Sequence, residues 1–244
     1  MKLSLAITTH NRSEMTIKSF EKVLNDFRIS EIVIVDDASE IEQYEELRRL
    51  VKELNSDKIS VVRNEINIGM SLNKFTAISR CSNDWVIVLD SDNVLDTNYL
   101  DAFDSCIFDV AINHPSLPPK SIIYCPSGAM PKFDYSVFEK HLINKSNVNG
   151  YLTGYHSTQM EWLLNTCNYI VNKKRYIEIY EHNREMKATD TIWHNYNHLK
   201  AGGSFYVMPN SQYQHLVWEG SGWREDRSYN KKKAIEVRRL IEQL

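Results

Sequence analysis

The first hundred residues alternate four short, nearly unbroken runs of Val, Ile and Leu with three longer stretches whose apolar residues recur at helical spacing. The runs are residues 3–8, 31–35, 59–62 and 85–89. Strands apolar on both faces belong to a sheet covered on both sides, the situation of parallel strands joined by crossover helices. Between them, Ile17, Phe20, Val23, Leu24 and Phe27 predict a helix starting near Ser13, with Ser13 as its N-cap. Tyr44, Leu47, Leu50, Val51 and Leu54 predict a second helix, and residues 72–78 a third. The expected architecture is α/β, with a mostly parallel central sheet flanked by helices.

Ligands of such sheets collect beyond the carboxyl ends of the strands. Those ends carry Thr8, Thr9, Asp36, Asp37, Asp90 and Asp92. A single Asp there is an ordinary turn residue, but acids recurring at separate strand ends make a candidate site. Asp90-Ser91-Asp92 sets two carboxylates directly behind a buried strand, close enough to hold one hard cation together with phosphate oxygens.

Further along the pattern loosens. Residues 113–154 hold five of the six prolines and a lone strand candidate at 122–125, which reads as an insertion or second lobe. Residues 168–171 return to a strand-like run, 189–200 form a helix closed by Gly202 and Gly203, and 205–208 are a late strand. From Lys231 the tail is amphipathic, with Ala234, Val237, Leu240, Ile241 and Leu244 on one stripe and Lys231, Lys232, Lys233, Arg238 and Arg239 opposite. Packing on the domain or on a second copy is the favoured reading of that helix, with peripheral membrane contact as the alternative.

Bulk properties exclude several classes. With 244 residues and 42% hydrophobic content the chain buries a full core, and a net charge of −3 gives no field for nucleic acid. Four widely spaced cysteines without a C-x-x-C pair suit a reduced cytoplasm, and no apolar run approaches the roughly 20 residues that cross a bilayer.

Four motifs follow one another in the first half: Thr9-His10-Asn11-Arg12, Asp36-Asp37-Ala38-Ser39, Asn67-Ile68-Gly69 and Asp90-Ser91-Asp92. In that order, over about the first hundred residues, the chain resembles the family 2 glycosyltransferases of the GT-A fold. The resemblance implies one domain over residues 1–244, with 1–100 as the nucleotide-sugar half and 101–244 as the acceptor half. It implies a donor pocket lined by Thr8, Thr9, Asn11, Arg12, Asp36, Asp37, Asn67, Gly69, Lys74, Asp90, Ser91 and Asp92, one Asp of the pair accepting from a uracil N3–H. Lys74 stands where the family often has Arg, which keeps a cation near the diphosphate but loses bidentate geometry, with a solvated helix face as the equal alternative.

The same resemblance implies Mn2+ or Mg2+ held by Asp90, Asp92 and His215, with Asp190 as the catalytic base. An Asp at that place is also what helix capping and the helix dipole select. His10, His194 and His198 read as structural or pocket residues. The aromatic stretches 151–162 and 218–223 offer faces for acceptor sugar rings. Two departures stand out: Thr replaces the usual Pro of the first motif, and Asn93 follows Asp92 where a further acid is frequent.

The implied reaction moves one hexose or N-acetylhexosamine from a UDP-sugar to a hydroxyl of a glycan or lipid-linked glycan, with inversion, in bacterial surface glycan synthesis. The Q-x-x-R-W signature of processive members is absent, and a homo-oligomer is left open. A nucleotidyltransferase would open with a Gly-rich basic loop, and residues 3–12 contain no Gly; a nicotinamide dehydrogenase would show G-x-G-x-x-G. The remaining rival is a sugar-binding protein that has kept the fold and lost turnover.

Overall fold

A computed structural model describes residues 1–216 and 222–244. In chain order these form β1 (Leu3–Thr9), α1 (Ser13–Phe20), β2 (Ile29–Asp36), α2 (Ile41–Glu53), β3 (Ile59–Arg63), α3 (Met70–Arg80), β4 (Trp85–Asp90), β5 (Asn93–Val94) and α4 (Thr97–Asn113). Then come β6 (Ile122–Cys125), β7 (Gly128–Met130), β8 (Phe133–Asp134), β9 (Leu142–Asn144), α5 (Val148–Thr153), α6 (Ser157–Leu164), β10 (Ile170–Asn172) and α7 (Lys173–Ile179). The described chain closes with α8 (Asp190–Lys200), β11 (Ser204–Val207), β12 (Tyr213–His215), α9 (Gly222–Glu225) and α10 (Arg227–Ile241).

The central sheet runs β3-β2-β1-β4-β10-β6-β11-β9, with β1 to β4 all parallel and β10 antiparallel to both its neighbours. Alternation within the strands builds two cores. Leu3, Leu5, Ile7, Ile32, Ile34, Ile87 and Leu89 face α1, α2 and α4, while Ala6, Val33, Val35, Val86 and Val88 face α3, α6, α8 and α10. Thr9 pairs with Asp36 and Thr8 with Asp90, so β1 ends between the two acid-bearing strand ends. This is the mostly parallel, helix-flanked α/β fold expected from the apolar runs.

Several local expectations are corrected. Helix α1 stops at Phe20 because the chain must turn toward β2, where Arg28 is tied to Asp26, Asp101 and Asp104; Val23 and Leu24 stay buried but Phe27 is 74% exposed. Ser13 is the first helical residue, not the cap, and its hydroxyl bonds Gln43. The proline-rich segment is not a separate lobe: β6 lies inside the central sheet between β10 and β11, and β9 forms its edge. The run Ile122–Cys125 is buried throughout, which an isolated strand could not achieve.

A small second sheet, β5-β12-β7-β8, sits where β4 ends. Helix α10 buries Val237 and Ile241 against α8, but Leu240 and Leu244 lie off that stripe and are exposed. Among the described residues no helix is long and apolar enough to cross a membrane.

Candidate functional site

The loop after β1 and the loop after β2 lock together through polar contacts. Asn11, at φ +54°, donates its backbone N–H to Ser39 Oγ (2.7 Å) and accepts from Glu40 N–H at Oδ1 (2.8 Å). Thr9 Oγ1 is bonded to Thr16, and Thr8 is left half-buried at the strand end. Asp36 is almost wholly buried, accepting from Ser39 and lying 3.5 Å from the Arg63 guanidinium. Asp37 accepts from Asn64 Nδ2, Ile68 N–H and Gly69 N–H, each at 2.9 Å. It is therefore the organiser of the Asn67-Ile68-Gly69 turn, in which Asn67 Oδ1 also caps Gly69 N–H and Gly69 adopts φ +84°, a conformation that favours glycine. With about four lone-pair positions on a carboxylate, Asp37 keeps room for one more donor.

At the end of β4 the acids meet cations from distant parts of the chain. Asp92 Oδ2 is 3.0 Å from Arg12 Nη1, so the first motif is fastened to the last. Lys74, on the buried face of α3, places Nζ 3.0 Å from Asp190 and 3.5 Å from Asp90, with Thr191 Oγ1 at 3.4 Å. Its side chain is 7% exposed and that of Asp190 6%, so this is neither a solvated helix face nor a surface pair. Burial opposes the ammonium, but the two carboxylates outweigh it and hold the Lys74 pKa well above its usual value. Burial likewise raises the Asp190 pKa, with Lys74 pulling against it.

Asp90 and Asp92 diverge. Asp90, despite burial, is held below the usual carboxylate range by Lys74, by a thiol hydrogen bond from Cys167 (Sγ to Oδ2, 2.8 Å) and by Arg12. Asp92 is pushed up to about 6 by burial and by the charge of Asp90, with Arg12 only partly compensating. Three acids against two cations leave the cluster short of positive charge at Asp92, which is where a divalent cation suits the residues present. Among the described residues no three His, Cys, Asp or Glu side chains are gathered to hold a metal by themselves. Asp92 is paired with Arg12 and Asp90 with Lys74, and the His215 ring is bonded through Nδ1 to Asn93 Oδ1 (2.7 Å). Burial lowers the His215 pKa. A cation here would take its remaining ligands from substrate phosphates and water, as such ions commonly do.

Sequence reasoning missed several participants. Asn168 Oδ1 accepts the Asp90 backbone N–H (2.9 Å), and Cys167 grips the same residue's carboxylate. Ser91 is fully buried with a hydroxyl that has no partner among the described residues. The aromatic groups beside Asp190 are Tyr176, Tyr180 and Trp193, which line a pocket with Ser71 and Lys74. By contrast Tyr151 packs edge-on to Phe138, and Trp162 to Phe133. Trp218, Gly220 and Ser221 lie outside the described residues. His10 bonds the Asp37 carbonyl; His198 is buried against Gly203, where a Cβ would meet its ring at 2.2 Å; His194 stacks on Tyr176.

Residues 4–103 match the model of Glycosyl transferase family 2. A curated relative, the "Putative colanic acid biosynthesis glycosyl transferase WcaA" of Escherichia coli (strain K12), is 25% identical over 153 residues, covering 61% of this chain and 54% of its own length. Among solved structures, S. aureus TarS 1-349 in complex with UDP-GlcNAc aligns over 99% of this chain and 65% of its own, with a TM-score of 0.71 at 17% identity. Mannosyltransferase PcManGT from Pyrobaculum calidifontis, in complex with GDP-Man and Mn2+, aligns over 96% and 64% with a TM-score of 0.63 at 14% identity. The chain thus spans between half and two thirds of the length of these relatives.

Proposed function

Because residues 4–103 match the model of Glycosyl transferase family 2, we propose that the chain transfers one hexosyl or N-acetylhexosaminyl group from a UDP-sugar to a hydroxyl of a glycan or lipid-linked glycan, with inversion, in bacterial surface glycan synthesis. One observation carries this reading beyond the family match: Lys74 joins Asp190, 116 positions away, to the acid that ends β4. A base candidate and the acid that ends β4 thereby share one lysine. In this reading residues 1–100 supply the nucleotide side, including Thr8, Asn11 and Asn67, and residues 101–244 supply the acceptor side.

Each residue then has a stated task. The free lone pair of Asp37 receives the N3–H of the uracil, and Arg12 stands beside Asp92 to meet the diphosphate. Tyr180 and Trp193, both partly exposed beside Asp190, present apolar faces for an acceptor sugar ring. Asp190 accepts the acceptor's hydroxyl proton as its oxygen attacks the anomeric carbon on the face opposite the leaving group, which inverts that centre. Asp92, with Asp90 and His215, would hold Mn2+ or Mg2+ once substrate oxygens complete the shell, and the cation would supply positive charge to the departing diphosphate.

The test is nucleotide release from a panel of UDP- and GDP-sugars with Mn2+, paired with calorimetry of UDP on the parent and Asp92→Asn. UDP release and loss of Mn2+-dependent UDP binding in the variant are expected. Release of GDP alone, or a variant that binds Mn2+ and UDP like the parent, counts against the assignment.

The outward face of α10 supports a peripheral location at the inner membrane surface. Arg227, Lys231, Lys232 and Arg239 are exposed there, without an acidic partner among the described residues, and Ile235 between them is 41% exposed. Each such cation contributes about 1 kcal/mol at an anionic bilayer. Reversing three (Lys231→Glu, Lys232→Glu, Arg239→Glu) is expected to abolish co-sedimentation with phosphatidylglycerol vesicles while sparing UDP binding. Equal sedimentation of parent and variant would remove the membrane from this reading.

A further inference from the structure

The small sheet beside β4 contains a chain of side-chain amides whose orientation can be worked out from one unambiguous donor. The backbone N–H of Asp90 points at the amide of Asn168 at 2.9 Å, so the atom facing it must be the oxygen. That fixes the Asn168 amide, whose nitrogen then donates to the Tyr213 hydroxyl at 3.0 Å. The Asn168 oxygen also faces one end of the Asn93 amide at 3.3 Å, and the same end lies 3.3 Å from Asp92 Oδ1. Two acceptors on one side require that end to be the NH2 group. Asn93 therefore turns its oxygen toward Nδ1 of His215, at 2.7 Å, and only a protonated Nδ1 makes that contact.

We propose that Asn168 and Asn93 are positioning residues that lock His215 as its Nδ1–H tautomer, leaving Nε2 as the lone-pair nitrogen of a ring held next to Asp92 through Asn93. No described residue bonds Nε2. The register holds the ring in place as well: His215 sits opposite Asn93 in the β5–β12 pair, and the next residue, Leu216, donates its N–H to the Asp92 carbonyl at 3.0 Å. Asn168 is almost wholly buried, and its own carbonyl accepts the Tyr99 hydroxyl at 2.8 Å, so the relay starts from a rigid point. Nε2 is the nitrogen an imidazole ligand would present to a divalent cation while its Nδ1–H is held by a neighbouring oxygen. This last step rests on the metal-dependent reading above; the tautomer lock does not. Asn93, set against the acid frequent after this motif, acquires a reason. An amide offers His215 an acceptor and Asp92 a donor at once, and a carboxylate offers only acceptors.

The experiment has a metal-free arm and a metal arm. In the first, long-range proton–nitrogen spectra of histidine-labelled protein report which His215 nitrogen bears the proton. The parent is expected to show Nδ1–H, Asn168→Leu to shift the ring toward Nε2–H or a mixture, and Asn168→Asp, which keeps an oxygen for both donors, to restore it. A parental ring protonated on Nε2, or one whose tautomer is the same in Asn93→Leu, overturns the lock, and a tautomer unchanged in Asn168→Leu but shifted in Asn93→Leu overturns the part given to Asn168 and leaves Asp92 alone to orient Asn93. Should Asn168→Leu fail to fold, Asn93→Leu removes the acceptor for His215 and leaves the Asn168–Asp90 bond intact, with the same expectation. In the second arm, Mn2+-dependent UDP affinity is expected to fall about 10–100-fold in Asn168→Leu and recover in Asn168→Asp. A His215→Ala protein that binds Mn2+ and UDP like the parent, beside the expected tautomer, upholds the lock and overturns the ligand role.

Discussion

Lys74→Met is expected to lower the melting temperature by on the order of 10 °C and to abolish transfer. The substitution leaves Asp190, 6% exposed at its side chain, without its counter-charge. Breaking a buried pair by removing one partner costs about 3–5 kcal/mol, and each kcal/mol moves the midpoint by about 2–4 °C in a chain of this size. Asp90 adds less, because its side chain keeps 31% exposure and a thiol donor. The sign with pH follows from the direction of the Asp190 shift. Burial already raises that carboxyl, and losing Lys74 raises it further above its unfolded value. A raised acid costs stability at pH above its folded pKa, and the cost fades as pH falls through that value. Melting curves at pH 5 and pH 8 should show the deficit of Lys74→Met shrinking at the lower pH. A deficit independent of pH, or none, means that Lys74 packs without holding the acids. Adding Asp190→Asn to Lys74→Met should recover part of the stability, since the two residues share one interaction.

Lys74 also marks where a sequence can be read and where it cannot. Its helix was legible from the spacing of residues 72–78, although a solvated face stood as open for Lys74 as a place beside the diphosphate, and the structure buries it with Asn73, Ala77 and Ile78. Its partner was not legible. Asp190 lies 116 positions away, and only the packing of α3 against α8 brings the two together. The parallel half of the sheet announced itself because every strand there is apolar on both faces, and the strand-end rule then put Asp36, Asp37, Asp90 and Asp92 on one rim.

Pairing between strands far apart in the chain left no such mark. Residues 122–125 looked isolated because their neighbours in the sheet, β10 and β11, come much later in the chain. Cys167 and Asn168 reach Asp90 through that same pairing, and His215 reaches Asn93 through the register of two very short strands. Short strands carry too few residues for alternation to set a register. Phe27 is the opposite case: it completed a helical stripe on paper, but the helix ends at Phe20 and the residue lies in solvent.

Asp190→Asn separates a base from a cap more sharply now that its surroundings are known. Asp190 is the first residue of α8, where an acid in the first turn also suits the helix dipole. If that were its whole role, Asn would serve nearly as well, because Asn and Asp are comparable at helix starts. The carboxylate, however, is turned to Lys74, and no side-chain cap is made by the preceding Thr189. Lys74 keeps Asp90 in the variant, so the fold should lose far less than with Lys74→Met. General-base assistance is worth about 10²–10⁴-fold, and transfer is expected to fall by at least that range. UDP affinity should remain parental, since Asp190 touches neither the Asp37 turn nor Arg12. Transfer rate, UDP affinity and melting temperature on one variant therefore decide the matter. An Asp190→Asn enzyme with parental rate would pass the role to another acid. Asp134 is committed to the Ser136 turn and Glu185 to Lys233, which leaves Glu181, on the rim of the same pocket, as the next carboxylate to replace.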